Sequence, residues 1–125
     1  MTARRPGGFT LIELMVVLAI VATLLAIAAP RYFQHIERAK EAVLRENLAT
    51  LRDAIDQYHA DSERWPATLE ALAESRYLRR VPIDPITERA DTWLSLPPPD
   101  GSEGVYDVHS GAEGESVGGQ PYGEF

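Results

Sequence analysis

From residue 9 the chain runs as an apolar stretch, FTLIELMVVLAIVATLLAIAA, interrupted by Thr10, Glu13 and Thr23. At about 1.5 Å per residue, a helix over 9–29 spans about 30 Å, the hydrocarbon thickness of a bilayer. Pro30 follows. Inside a helix, proline removes one backbone bond and kinks the axis without having to end it. Beyond it the pattern turns from continuous to periodic. Leu44, Leu48, Leu51, Ile55 and Tyr58 recur at spacings of four, three, four and three, one stripe of an amphipathic helix. Arg38, Glu41, Arg45, Glu46, Arg52, Asp53 and Asp56 mostly occupy its other faces. A helix from Phe9 to Tyr58 would be about 75 Å long. No small head buries all of that, so the first half belongs in lipid or among other helices and the second half carries a head.

Helix signals stop between Asp61 and Pro66. ERWPATLEALAESRYL predicts a second, short helix, with Pro66 near its first turn and Leu69, Leu72 and Ala73 on one face. RRVPIDPITERA is a loop with two prolines. TWLSLP and VYDVHS alternate as strands, separated by the turn-rich PPPDGSEG. GAEGESVGGQPYGEF is Gly-rich and mostly irregular. The expected fold is α+β: a long N-terminal helical spine, its hydrophobic half protruding, packed on a small antiparallel sheet. Trp65, Trp93 and Tyr106 are the expected core aromatics.

Charge refines this picture. The formal net charge is −7, and loss of residues 1–8 with Arg4 and Arg5 would make it −9. Residues 90–125 hold no Lys or Arg while Asp91, Asp100, Glu103, Asp107, Glu113, Glu115 and Glu124 are acidic. That sign argues against nucleic acid as a partner. It suits a solvated surface or a cation. With no cysteine, disulfides and thiolate sites are excluded. His35 and His59 stand alone without ligand spacing and read as solvent-facing or capping residues. Enzyme signatures are missing: no phosphate loop, dinucleotide fingerprint or HExxH. Adjacent His109 and Ser110 on a strand point to opposite faces, so they form no nucleophile–base pair. Asp107 and His109 share a face and read as a packed or solvated pair.

Arg4 and Arg5 ahead of the apolar run place the N-terminus in the cytoplasm and export the rest. A secretory signal would have a shorter apolar core and a small-x-small cleavage site. Ala26 and Ala28 mimic that site, but Pro30 lies close behind. A plain signal anchor explains the length and the arginines, yet not Glu13. A carboxylate near the centre of a membrane helix costs about 2.5–3.5 kcal/mol and calls for a partner. One turn inside the helix start, snorkelling relieves part of that.

RRPGGFTLIELMVVLAIVATLLAIAAP resembles the N-terminal signal of type IV pilins and type II secretion pseudopilins. The resemblance combines a short basic leader, Gly-Phe, TLIE and a spanning apolar run. It implies four segments: leader 1–8, transmembrane and filament-core helix 9–29, amphipathic helix 30–61, and an α+β head over 62–125. It also implies cleavage by a prepilin peptidase after Gly8, methylation of Phe9, an assembly role for Glu13 and a helix kink at Pro30. In the family, the counterpart of Glu13 is thought to neutralise a neighbouring subunit's N-terminal amine. Pairing relieves two charges that are each costly in an apolar bundle. A cap within one chain is the competing role for Glu13. The implied partners are other pilin or pseudopilin subunits, the peptidase, an inner-membrane assembly platform and membrane lipid. The implied location is the bacterial inner membrane, single-pass with the head periplasmic, then the pseudopilus.

The run Tyr58, Trp65-Pro66, Leu69, Leu72, Tyr77-Leu78, Pro82 and Asp84-Pro85 resembles the major, G-type pseudopilin of type II secretion. A structural subunit supporting protein export is therefore expected, without enzymatic activity. A type IV minor pilin and a signal-anchored periplasmic binding domain are the alternatives. In the G-type subunit the C-terminal loop holds a structural calcium ion. Asp107, Ser110, Glu113 and Glu115 are the corresponding candidate ligands, but the later aspartate pair is replaced here by QPYGEF. A plain solvated loop is the other reading.

Overall fold

The computed structural model describes residues 7–125, so Arg4 and Arg5 and most of the expected leader lie outside the described residues. Helix α1 runs Leu11–Ser62 and passes through Pro30. It is followed by α2 at Leu69–Glu74, strands β1 at Trp93–Leu96 and β2 at Asp107–Ser110, and a 3-10 turn at Tyr122–Glu124. The chain divides into two compact units, the first ending at His35 and the second running Ile36–Phe125. Within the first unit, the apolar side chains of α1 from Leu11 to Ile27 are exposed along the helix. Among the described residues, α1 is the helix long and apolar enough to cross a membrane.

In the second unit the periodic stripe does what its spacing predicts. Leu44, Leu48, Leu51 and Ile55 are buried, joined by Ala54, with Tyr58 partly buried at the end. Each such leucine or isoleucine contributes about 1.5–3 kcal/mol through burial. They pack with Leu69 and Leu72 of α2, with Leu78, and with Trp93, Val105 and Val108 around the sheet. Strands β1 and β2 pair antiparallel, Trp93 opposite Ser110 and Leu96 opposite Asp107. The pleat turns Trp93, Val108 and Ser110 inward and leaves Leu94 exposed. Gly111 lets the strands close: a Cβ there would sit 2.0 Å from the Thr92 carbonyl oxygen.

Two local expectations need correction. Pro66 is not in the first turn of α2. Thr68 is the cap, its hydroxyl accepting the Ala71 N–H at 3.2 Å. Pro66 instead lies buried ahead of it, its carbonyl accepting the Val105 N–H. The helix then ends early because Arg76 adopts a left-handed φ of 64°. That lets the Tyr77 N–H reach back to Leu72 O, a C-terminal cap of the kind glycine normally provides.

Of the three expected core aromatics, Trp93 lies inside, Trp65 packs against the core from its edge, and Tyr106 stays outside. Trp93 is buried, its indole N–H donating to Pro82 O at 2.8 Å. Tyr106, by contrast, is 43% exposed. Trp65 is only partly buried and stacks flat on His59, with centroids 3.7 Å apart. The missing core aromatics are Tyr122 and Phe125, which fold back edge-to-face at 5.7 Å from the stretch expected to be irregular.

Candidate functional site

Two regions carry the residues singled out by sequence. The first is the start of α1. Gly7, Gly8, Phe9 and Thr10 lie in an exposed stretch without regular structure. A side chain at Gly8 would meet nothing within 4 Å, so the fold itself makes no demand for glycine there. Phe9 is 87% exposed. Thr10 and Glu13 then close the helix start reciprocally. The Glu13 N–H donates to Thr10 Oγ1 at 3.2 Å, and the Thr10 N–H donates to Glu13 Oε2 at 3.3 Å. This is the Thr-x-x-Glu capping box, satisfying two amides that a helix start leaves open. The carboxylate is thereby held beside the position of the Phe9–Thr10 backbone. Further along, the Thr23 hydroxyl donates to Ala19 O at 2.8 Å, which satisfies it within the helix. Pro30 occupies the helix interior.

The second region is the C-terminal stretch, where four oxygen-bearing side chains were expected to converge. Asp107 and Ser110 stand three apart on β2 and so face opposite ways. Ser110 is buried and donates its hydroxyl to Asp84 Oδ2, while accepting the Ala112 N–H. Asp107 Oδ1 accepts from Arg52 Nε at 2.9 Å and from the Val108 N–H at 2.8 Å. Its other oxygen is 3.7 Å from His109 Nε2, so the Asp107–His109 pair expected on one face is present. Glu113 and Glu115 are exposed. Among the described residues, no group of three or more His, Asp or Glu is placed to hold a metal ion.

Sequence reasoning missed the residues that organise this stretch. Arg52 and Glu41 were assigned to the polar faces of α1. Arg52 instead bonds to Asp107, to Val108 O at 2.9 Å and to Phe125 O at 2.7 Å. Glu41 is buried and accepts the Val117 N–H at 2.6 Å. The signal was present: stepping back three residues from Leu44 continues the stripe onto Glu41, and Arg52 is four beyond Leu48. Asp84, also missed, is fully buried; its Oδ1 accepts the N–H groups of Ile86 and Thr87 and folds the IDPITERA loop. The Tyr122 phenol is held above its usual range, first by burial and then by the charges of Glu37, Glu41 and Asp84.

Residues 3–29 match the family described as the prokaryotic N-terminal methylation motif. Over 94% of its length, the chain is 32% identical to type II secretion system core protein G of Pseudomonas aeruginosa, covering 92% of that protein. It is 31% identical to core protein G of Aeromonas hydrophila over 93% of this chain and 90% of that one. For the Vibrio cholerae core protein G, identity is 32% over 92% of this chain and 86% of that one. No solved structure gives a significant match.

Proposed function

Starting from the fact that this chain belongs to the core protein G family of type II secretion pseudopilins, we propose how its parts serve a pseudopilus. The protein is a structural subunit of the secretion system, processed by prepilin peptidase and assembled with other pilin-like subunits. Its N-terminal apolar helix anchors it in a membrane before it joins the pseudopilus.

The finer reading is ours. The peptidase cuts after Gly8, in a stretch exposed and free of regular structure, as a protease substrate must be. Glycine at that position answers to the enzyme, since the fold leaves room for a side chain. Phe9 becomes the methylated N-terminal residue. Its amine, with an ordinary pKa of about 7.7–8.0, carries positive charge near neutral pH. Glu13 of one subunit meets the Phe9 amine of the next as the helices leave lipid and bundle. Two charges that each resist burial thus neutralise one another. Pro30 kinks the helix where the apolar run gives way to the amphipathic one. The N-terminus lies in the cytoplasm, the head in the periplasm, and an inner-membrane platform with surrounding lipid completes the set of partners.

The observation that carries this reading is the exposure of the apolar side chains of α1 from Leu11 to Ile27. So large an apolar surface does not persist in water; it is covered by lipid, by other helices, or by both in turn. Two measurements test it. The mass of the protein from cells with the peptidase should show loss of residues 1–8 and gain of one methyl group. Glu13→Ala should remain inserted in the membrane yet fail to form filaments. An intact leader would point to a non-polymerising anchored domain, and normal filaments from Glu13→Ala would overturn the charge pairing.

A further inference from the structure

The C-terminal stretch of the head returns to α1 across a long sequence interval, and something must hold it there. One guanidinium does so. Arg52 Nε donates to Asp107 Oδ1, and Arg52 Nη2 donates to both Val108 O and Phe125 O, at sequence separations of 55, 56 and 73. A second contact set reinforces the same end. His109 Nδ1 lies 2.8 Å from Phe125 O, and the Arg45 guanidinium sits 4.6 Å above the Phe125 ring. The Phe125 ring is itself buried against Tyr122.

We propose that Arg52 is the resident cation of this segment: its guanidinium gathers the oxygens of Asp107, Val108 and Phe125 as a metal ion would, and the head closes without calcium. The residues expected to bind calcium do not fit the ion. Calcium takes about six to eight oxygens at about 2.3–2.6 Å, with carboxylates prominent. Of the four candidates, Asp107 is engaged by Arg52. Ser110 is turned to the opposite face and engaged by Asp84. Glu113 and Glu115 point to solvent. A divalent ion brought to Asp107 would also face an arginine already bonded to that carboxylate, and like charges at that range repel.

Arginine suits the task by its chemistry. It presents several N–H donors in one plane and stays protonated throughout the physiological range. Its bonds to a carboxylate and to carbonyls are charge-assisted. An isolated exposed ion pair would contribute little. Here both side chains are about two-thirds covered, at 36% and 34% exposure, and one head group ties three separate acceptors. This closure survives chelators and low-calcium surroundings, unlike a metal-closed loop.

The test uses the full mature chain in detergent, followed by thermal unfolding with calcium chloride and, separately, with a calcium chelator. The wild-type midpoint should be the same in both, and calorimetric titration with calcium should give no saturable heat. Arg52→Gln should lower the midpoint by about 5 °C or more in either solution. Arg52→Lys keeps the charge but cannot span the three acceptors, and should fall between the two. A wild-type midpoint that rises saturably with calcium overturns the proposal. So does an Arg52→Gln protein that unfolds at the wild-type temperature. If Arg52→Gln fails to fold, the wild-type comparison and Arg52→Lys decide the matter.

Discussion

Glu41 Oε1 accepts the backbone N–H of Val117 at 2.6 Å, joining two residues 76 positions apart in sequence. The carboxylate sits on the buried stripe of α1, one step before Leu44, and is itself 7% exposed. A buried charge there is tolerable because a backbone donor meets it. Glu41→Ala should therefore destabilise the head by about 1–3 kcal/mol, through the lost charge-assisted bond and an amide left without an acceptor. Glu41→Gln keeps an acceptor oxygen and should lose less. Denaturant midpoints give the order, and the Val117 amide should exchange with solvent faster in Glu41→Ala. Equal midpoints for wild type and Glu41→Ala would show that the loop is held by other contacts.

The capping box at the start of α1 allows the two roles of Glu13 to be separated. Thr10→Val removes the hydroxyl that accepts the Glu13 N–H and should weaken the helix start by about 0.5–2 kcal/mol. Fraying should be visible as faster amide exchange over the first turn, with the Glu13 charge intact. Glu13→Gln does the reverse: an amide oxygen still accepts the Thr10 N–H, but the charge is gone. If charge is what assembly uses, Glu13→Gln should be filament-poor with a well-protected first turn. A filament-competent Glu13→Gln protein would assign the residue to capping.

Asp84 is the buried carboxylate on which the IDPITERA loop and β2 meet. It receives the Ser110 hydroxyl on one oxygen and the N–H groups of Ile86 and Thr87 on the other. Asp84→Ala would strand the buried Ser110 hydroxyl and leave the half-buried Ile86 and Thr87 amides without their acceptor. The expected loss is about 3 kcal/mol or more, read from urea unfolding with the Trp93 environment followed by near-ultraviolet dichroism. Asp84→Asn keeps an acceptor on one side and should be milder. Parity between Asp84→Ala and wild type would mean that the loop is not held by this carboxylate.

The Tyr77 phenol donates to Asp61 Oδ2 at 2.7 Å, and this bond holds its pKa above the ordinary tyrosine value. Desolvation and the Asp61 charge act in the same direction. A raised folded-state pKa means that the contribution to stability is fully present below the ordinary tyrosine pKa, near 10, and is lost as pH climbs through the folded value. Titration by ultraviolet difference absorbance should show one tyrosine ionising later in wild type than in Asp61→Asn. Superimposable titrations would remove Asp61 as the cause.

Much of this architecture was legible because it rests on period. The spanning run, the stripe from Leu44 to Ile55 and the two strands all follow from spacing, and spacing is visible in one dimension. The competing role of Glu13 as a cap was visible too, since Thr-x-x-Glu is a local pattern. What escaped depends on contacts made across the chain. Arg52 and Glu41 looked like ordinary polar positions because nothing nearby in sequence says that residues 107–125 will fold against them. Tyr122 and Phe125 were hidden inside a Gly-rich stretch whose regular structure is a single short turn. Trp65 packs against the core only from its edge, sheltered on its other side by stacking on His59.

The Thr23 hydroxyl, turned back onto Ala19 O, has a consequence for how helices of this kind can meet. With that group satisfied at home, the side chains from Leu14 to Ala29 request no directional bond from any neighbour. Van der Waals contact between such surfaces changes little when one helix shifts along another, so the apolar span supplies adhesion without an address. If Glu13 pairs with a neighbouring Phe9 amine as proposed, height along the axis is specified there, by a single mark on an otherwise featureless rod.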